Sequence, residues 1–244
     1  MLALLVALLL VPAPHASGGG IPSAAWGGAG ASAPGGKLTY IVLPSGRGSL
    51  VQAVHRDGGS VDLWKQLPRR YGVPMAAYDG TMTGLSADGR VLVLAEVPGV
   101  FPVRRTRLLV LRTRGFRELE RFSLSGHYAV VAISPHGRYV YLRRLTAPTR
   151  NPLRTELVVL DRGEPGAPRP IGGESADIPS SSVSDGRWTY TLFQRDGSWV
   201  QGLDTVTQAT RRWEVPGVPG NDLMRLRLEN GSLHVGAKAS FTVR

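Results

Sequence analysis

Arginine side chains are concentrated in two stretches of the chain that are also rich in proline. The first stretch contains Arg104, Arg105 and Arg107, and the second contains Arg150 and Arg154. Each guanidinium presents N–H donors in a planar fork that fits the oxygens of phosphate and carboxylate groups. Because neither stretch contains an acidic residue, the two together predict a surface that binds anions. The alternative is that these arginines only solvate long loops.

His127 is the histidine best placed to take part in such a site. It follows Gly126 in a short connection, whereas His55 and His234 fall within predicted strands and His136 falls within a turn. An imidazole in a connection is able to bind a ligand or to hold the chain through a structural hydrogen bond. We include His127 in the predicted binding set, and the choice between these two roles is open at this level.

Motifs that identify common catalytic or metal centres do not occur in the sequence. There is no Gly-x-Ser-x-Gly, His-Glu-x-x-His or Gly-x-x-x-x-Gly-Lys motif, and no calcium loop of alternating aspartates. The chain has no cysteine, which excludes disulfides, thiolate metal sites and a cysteine nucleophile. The sequence therefore predicts no cofactor, no metal site and no catalytic residue, and it favours binding over catalysis.

The elements that position these residues follow from a phrase that recurs along the chain. Its turn glycines are Gly89, Gly137, Gly186 and Gly231, which lie 45 to 49 residues apart. Glycine in a tight turn between short apolar runs is a strong hairpin signal. Two further strands follow most of these hairpins, and the last of them is more polar, as suits an outer edge strand. Four short strands in each unit predict an all-β fold, a β-propeller of four-stranded antiparallel blades.

The period also predicts the number of blades. Residues 37–244 hold four to five units, and we expect five blades. Ser45-Gly46-Arg47 precedes Gly89 by nearly one period, which makes it the counterpart of the repeated turn in a degenerate first blade. We expect an N-terminal strand to complete the last sheet beside Ser240 to Val243. Without that closure the propeller is incomplete and leaves an edge strand exposed.

Propeller geometry brings the arginines and His127 together. The connections between the second and third strands of a blade lie on the same face as the links between blades, and both arginine stretches are connections of this kind. We therefore expect them to form one patch with His127. The alternative is an enzyme whose site is assembled from single residues on several blades, with Asp79, Glu96, His127 and Glu174 around the central channel.

Three strings in the chain resemble the bacterial WD-repeat and YVTN-repeat propeller superfamily: Gly126-His127, the segment from Ala132 to Tyr139, and Leu160-Asp161. The resemblance covers roughly residues 80 to 237 and implies a β-propeller, in which a Gly-His pair commonly has a structural role. The Trp-Asp pair itself is replaced by Leu160-Asp161 and Leu203-Asp204. Because the superfamily includes scaffolds, sugar-lactone hydrolases and exported proteins, the resemblance leaves a lactonase-like hydrolase as the alternative to a binding scaffold.

The start of the chain predicts export. An apolar run from Leu2 to Val11 is followed by small residues, and the first charged residue is Lys37. The run is shorter than the roughly 20 residues of a transmembrane helix, which favours a signal peptide. We predict a signal peptide over 1–17, a Gly/Ala/Ser-rich disordered linker over 18–36 and the propeller over 37–244. The protein is expected to be extracytoplasmic (secreted, periplasmic or in the cell envelope) and monomeric, with no transmembrane span in the mature chain.

The charge of the chain indicates the kind of partner. Lysine and arginine together number 29 against 18 aspartates and glutamates, and the formal net charge is +11. Such a surface favours an anionic partner, either a cell-envelope polymer or a protein, and nothing in the sequence indicates specific binding of nucleic acid. Only Lys37, Lys65 and Lys238 are lysines. A preference for arginine of this size also arises from a GC-rich genome, so composition alone does not decide between these explanations.

Overall fold

The fold is described from a computed structural model over residues 21–27, 30–147, 154–164, 166–195, 197–217, 224–237 and 239–243. The predicted signal peptide over 1–17 lies outside these ranges. The described strands form five antiparallel sheets, which confirms the predicted all-β propeller and agrees with the expected four to five blades. Within the described ranges, no helix is long and apolar enough to span a bilayer.

The strands follow the chain blade by blade. The first strand, β1 (Ala24–Ala25), belongs to blade 2. Blade 1 consists of β2 (Ala31–Ser32), β3 (Leu38–Ser45), β4 (Gly48–His55) and β5 (Val61–Leu67). Blade 2 adds β6 (Tyr71–Pro74), β7 (Val91–Glu96), β8 (Arg105–Arg112) and β9 (Arg117–Ser125), with a 3-10 turn at Arg114–Phe116.

The remaining blades have the same strand order. Blade 3 consists of β10 (Tyr128–Ile133), β11 (Tyr139–Leu145), β12 (Thr155–Asp161) and β13 (Arg169–Ser175). Blade 4 consists of β14 (Ile178–Ser184), β15 (Trp188–Gln194), β16 (Ser198–Asp204) and β17 (Thr210–Glu214). Blade 5 has three described strands, β18 (Leu226–Glu229), β19 (Ser232–Val235) and β20 (Ala239–Thr242).

The recurring glycines form turns in blades 2 to 5: Gly89 lies just before β7 in blade 2, and the other three connect the first two described strands of blades 3, 4 and 5. All four have positive φ, from 68° at Gly89 to 96° at Gly186, a region that glycine enters without steric cost. Gly137 also packs tightly, because a Cβ at this position would lie 2.6 Å from the side chain of Val91 in blade 2. This turn therefore fixes the chain direction and seats blade 3 against blade 2.

Apolar residues on the facing sides of neighbouring blades form the core. Tyr40 and Val51 of blade 1 lie in one buried cluster with Leu94 and Leu111 of blade 2. Similar clusters join blade 2 to blade 3, blade 3 to blade 4, and blade 4 to blade 5. Inner strands such as β7 are covered on both faces, which explains their continuous apolar sequence. No buried cluster of described residues joins blade 5 to blade 1, and Trp64 on the outer strand of blade 1 is 62% exposed.

The segment expected to be a linker contributes two strands. β1 pairs with β6 of blade 2, and β2 pairs with β3 as the first strand of blade 1. Small residues suit this place: a Cβ on Gly30 would lie 2.6 Å from Thr39. The Gly/Ala/Ser composition that predicts disorder therefore also serves close backbone pairing. These strands lie away from β20, so the described residues do not include the expected closure beside Ser240 to Val243.

The turn at Gly46 differs from its predicted position. It connects β3 to β4, the second and third strands of blade 1, rather than the first and second. The first turn of that blade is instead formed around Gly35, which also has positive φ. Arg47 consequently lies at the end of the blade opposite to the recurring glycine turns. We call this end, with the links between blades and the connections between second and third strands, the loop face.

Candidate functional site

A cavity of about 480 Å³ opens on the loop face where blades 1, 2 and 3 meet. Its wall is formed by the β3–β4 turn, the link from β5 to β6, the end of β7, the start of β8 and the link from β9 to β10. These elements carry five arginines into one wall: Arg47, Arg69, Arg70, Arg105 and Arg107. We call this site the arginine cavity.

One carboxylate, that of Glu96, lies among the described residues of the wall. Nη1 of Arg107 donates to Oε2 of Glu96 at 2.6 Å, and Nη1 of Arg69 lies 3.7 Å from Oε1. The hydrogen bond and the charge of Glu96 raise the pKa of Arg107. Arg47 and Arg105 form no ion pair with a carboxylate of the described residues. The arginine cavity therefore carries a surplus of positive charge, which favours an anionic ligand.

Arg70 is held by an aromatic ring. Its guanidinium carbon lies 4.4 Å from the ring centre of Trp26, a cation–π distance. The indole Nε1 of Trp26 donates to the carbonyl oxygen of Tyr71 at 2.8 Å, which anchors the ring to the first residue of β6. This arrangement orders the Arg70 side chain without neutralising its charge.

His127 closes the wall of the arginine cavity in the link from β9 to β10. It is 3% exposed, and its Nδ1 accepts a hydrogen bond from the backbone N–H of Val103 at 3.2 Å. Burial lowers the pKa of His127 to about 4, so the ring is neutral at physiological pH. Since Nδ1 accepts, the single ring proton is on Nε2. That atom is buried and has no partner among the described residues, which makes it a donor without an acceptor.

The structure brings some of the sequence-predicted residues together and separates others. Arg105, Arg107 and His127 line the arginine cavity. Arg104 is exposed outside its wall, and Arg154 lies 3.8 Å from Glu174 at the edge of blade 3. Arg150 lies outside the described residues. Arg104 and Arg154 therefore lie outside the wall of the arginine cavity, and the grouping of both arginine stretches into one patch stays a prediction.

Three arginines of the cavity were missed by the sequence prediction. Arg47 was assigned to a turn at the wrong end of blade 1, because the spacing of Gly46 from Gly89 matched the repeat. Arg69 and Arg70 lie in a link between blades that directly follows β5. His127 was chosen because links between blades lie on the loop face, and the same reason applies to this link. Residues 68–70 could therefore have been predicted to lie on that face.

The central channel has a different chemistry. A cavity of about 190 Å³ lies between the first strands of blades 1, 3 and 4 and the segment from Ala76 to Ala87. The described residues of its wall are small, apolar or hydroxyl-bearing and include no titratable side chain. This segment crosses to blade 4, where Oδ2 of Asp79 accepts a hydrogen bond from Ser181 at 2.6 Å. The channel therefore offers hydroxyl and backbone groups rather than an acid and a base.

The residues of the enzymatic alternative lie in three separate places. Glu96 and His127 line the arginine cavity, Asp79 lies against blade 4, and Glu174 is on the outer strand of blade 3. Among the described residues, no three His, Asp or Glu side chains are grouped as metal ligands would be. Within the described structure, the four candidate groups do not surround the channel as that alternative expects.

No known family matches this sequence, and no curated protein matches it. Solved structures are similar at low sequence identity. Acylaminoacyl peptidase in complex with Z-Gly-Gly-Phe-chloromethyl ketone aligns with a TM-score of 0.53 and 10% identity over 88% of this chain and 35% of the peptidase. TolB from Acinetobacter baumannii aligns at 0.48 and 10% identity over 87% of this chain and 50% of TolB. The β-propeller domain of Cps50 (Swd1) from Myceliophteria thermophila aligns at 0.49 and 12% identity over 91% of this chain and 65% of that domain.

These similarities concern the fold. The chain has a β-propeller fold. It spans half the length of TolB and about a third of the peptidase. At this level of identity the chemistry of the chain is argued from its own residues.

Proposed function

We propose that this protein is an exported, non-enzymatic β-propeller that binds an anionic cell-envelope polymer or an acidic protein through the arginine cavity on its loop face. The observation that carries the proposal is the balance of charge in the wall, where five guanidinium groups face one carboxylate. Guanidinium forks favour phosphate and carboxylate oxygens. The proposed partner therefore presents such groups in a repeated or clustered form.

His127 supports binding rather than catalysis. Its lone pair on Nδ1 is occupied by the Val103 amide, and its Nε2–H is the free group. A general base needs an available lone pair within reach of the proton that it removes. In this geometry the imidazole acts as a hydrogen-bond donor to an anion bound beside Arg105 and Arg107.

The proposed location rests on the sequence. The apolar run from Leu2 to Val11 and the small residues after it favour export, and we propose an extracytoplasmic, monomeric protein. In that setting, phosphate-bearing or carboxylate-bearing envelope polymers are abundant partners for a basic surface. The hydrolase alternative lacks a supporting observation in the described channel wall.

The test compares two double variants of equal charge. Arg47→Gln with Arg105→Gln removes two cations of the arginine cavity that form no ion pair among the described residues, and Arg104→Gln with Arg154→Gln removes two cations outside the cavity. The full chain and both variants are passed over immobilised polyphosphate and polyglutamate across a salt series. We expect the cavity variant to lose affinity by roughly tenfold or more, since a hydrogen bond to a charged group contributes about 1.5–3 kcal/mol. The control variant should lose only the general effect of two charges.

Two results would contradict the proposal. Equal retention of the two variants would show that the surface binds only through its overall charge. Retention of the wild-type chain that is too weak to measure on both resins at low salt would remove the anionic polymer as a partner. Loss on polyglutamate alone, or on polyphosphate alone, would identify which anion the arginine cavity prefers.

A further inference from the structure

One guanidinium is buried in this protein outside the arginine cavity, between blades 3 and 4. Arg143 lies on β11 of blade 3 and is 2% exposed. Its Nη2 donates to Oε1 of Gln201 in blade 4 at 3.0 Å. Its Nε is buried and has no acceptor among the described residues, and no carboxylate of those residues forms an ion pair with it.

A buried cation without a counter-ion is costly. Removing a charged group from water is unfavourable unless hydrogen bonds and an opposite charge replace the water. Burial lowers the pKa of Arg143 to about 10, so the side chain is still protonated at neutral pH. The charge must therefore be compensated by something other than an ion pair within the described chain.

The plane of Arg143 is fixed by a stack of rings. Its guanidinium carbon lies 4.6 Å from the ring centre of Phe193, and that ring stacks on Trp199 at 4.4 Å. On the far side of Trp199, Arg212 lies 4.0 Å from the ring centre. The indole Nε1 of Trp199 donates to Asp177 at 2.9 Å. Such packing holds donor groups in place before a ligand arrives, which reduces the entropic cost of binding.

Arg143 lines a cavity of about 210 Å³ between blades 3 and 4. Its wall includes the side chains of Gln201, Ser175 and Thr210, and it also includes Arg211 and Arg212. At about 30 Å³ per water molecule, the space holds roughly seven waters, enough for a small anion and its remaining hydration. The one carboxylate of the wall, that of Glu174, is exposed and faces Arg154 at 3.8 Å.

We propose that this space, the Arg143 cavity, is a second anion site in which a phosphate or carboxylate group accepts hydrogen bonds from Arg143. The anion supplies the counter-charge that Arg143 lacks among the described residues, and the hydroxyl group of Thr210 offers a further donor, whereas that of Ser175 already donates to Asp177 at 3.1 Å. The site is separate from the arginine cavity, which lies where blades 1, 2 and 3 meet. It is sized for a small anion or for one anionic group of a larger ligand.

The test uses tryptophan indole signals in a proton–nitrogen NMR spectrum of the full chain. The chain has five tryptophans, and Trp199 lies in the wall of the Arg143 cavity whereas Trp26 lies beside the arginine cavity. Inorganic phosphate and acetate are titrated separately at constant ionic strength set with chloride. We expect saturable movement of the Trp199 signal, assigned with Trp199→Phe, with at least one of the two anions. The anion that gives the tighter curve distinguishes a phosphate ligand from a carboxylate ligand.

Three variants decide the origin of that signal. Arg143→Gln should weaken the anion affinity measured at Trp199 by tenfold or more. Arg144→Gln is the control, because it removes the same charge one residue along β11, where Arg144 pairs with Glu156, and it should leave that affinity nearly unchanged. Gln201→Glu places a carboxylate beside Arg143 in nearly the same shape. We expect it to raise the melting temperature and to abolish the Trp199 response, because the counter-charge is then internal. This variant keeps the test informative if Arg143→Gln fails to fold.

The proposal is overturned if neither anion moves Trp199 in a saturable way. It is also overturned if Gln201→Glu or Arg143→Gln leaves the titration unchanged. The Trp26 signal reports the arginine cavity independently, so a failure of one site does not imply a failure of the other.

Discussion

Protonation of His127 is expected to destabilise the fold in mild acid. The imidazole is buried, its Nδ1 accepts from the Val103 amide, and its ring is packed against Phe101 with centres 4.9 Å apart. Adding a proton to Nδ1 removes that acceptor and places a cation in a wall that already contains Arg105 and Arg107. The folded state therefore takes up this proton less readily than the unfolded chain does.

The size of the effect follows from the two pKa values. Burial lowers the pKa of His127 to about 4 in the folded state, against an ordinary value of 6.5. Since the folded pKa lies below the unfolded one, the unfolded state binds more protons and stability falls as the pH falls. The loss begins near pH 6.5 and is complete near pH 4. Between pH 7 and about pH 4.5 the free energy of unfolding is expected to drop by about 2 kcal/mol from this group alone.

The assay is urea unfolding of the full chain at a series of pH values. His127→Phe keeps an aromatic ring but cannot be protonated. Over this pH range its free energy of unfolding should therefore fall by about 2 kcal/mol less than that of the wild type. His136→Gln is the comparison variant: it removes an exposed imidazole whose Nδ1 lies 3.1 Å from Oδ2 of Asp88, so it shows how much the loss of a surface imidazole and its ion pair changes the pH profile. Parallel pH profiles for the wild type and His127→Phe would refute the argument that His127 is buried and neutral.

Two further substitutions test the fold. Gly137→Ala should lower the free energy of unfolding by about 2–4 kcal/mol, because it adds a Cβ at positive φ and 2.6 Å from Val91. Gly115 has the same φ of 75° but open space around it, so Gly115→Ala should lower the free energy of unfolding only by the backbone contribution of about 1–2 kcal/mol. Thermal melts of both variants measure the difference. Burial alone raises the pKa of Asp204, but hydrogen bonds from Arg187 and from backbone amides outweigh it and lower the pKa to about 2. Asp204→Asn should therefore cost about 2 kcal/mol at neutral pH, and its cost should shrink as the pH falls from about 4 to 2 and the wild-type carboxylate is protonated. Equal costs for the two glycine variants, or a cost of Asp204→Asn that is unchanged at pH 2, would contradict these arguments.

The strands that a local pattern defines were predictable from the sequence. A turn glycine and an alternating or continuous apolar run place β7, β11 and β12 to within a few residues, because both signals depend on neighbours in the chain. β1 and β2 were not predictable in this way. Each has two residues of small side chains, and their pairing with β6 and β3 depends on distant backbone groups.

The candidate sites were predictable only in part, because propeller sites are assembled across blades. Arg105, Arg107 and His127 were found from loop composition, and all three line the arginine cavity. Arg143 was not singled out, although it is one of two consecutive arginines in a strand whose neighbours are apolar. Consecutive strand residues point to opposite faces. Because both faces of β11 are covered by neighbouring blades, this pair was a signal that at least one arginine is buried.

The positions of the arginines distinguish between two explanations of their number, a GC-rich genome and a role in binding anions. A surplus of arginine that came only from a GC-rich genome would spread over the exposed surface, and Arg104 and Arg114 fit that description. It would not explain five guanidinium groups around one carboxylate, or a guanidinium that is 2% exposed with no carboxylate beside it. Burying an unpaired charge opposes folding, so composition drift alone disfavours such a residue. The Gln201→Glu variant therefore also tests this argument about composition. If a carboxylate beside Arg143 stabilises the fold, the native chain lacks a counter-ion at this position, and a bound anion would supply it.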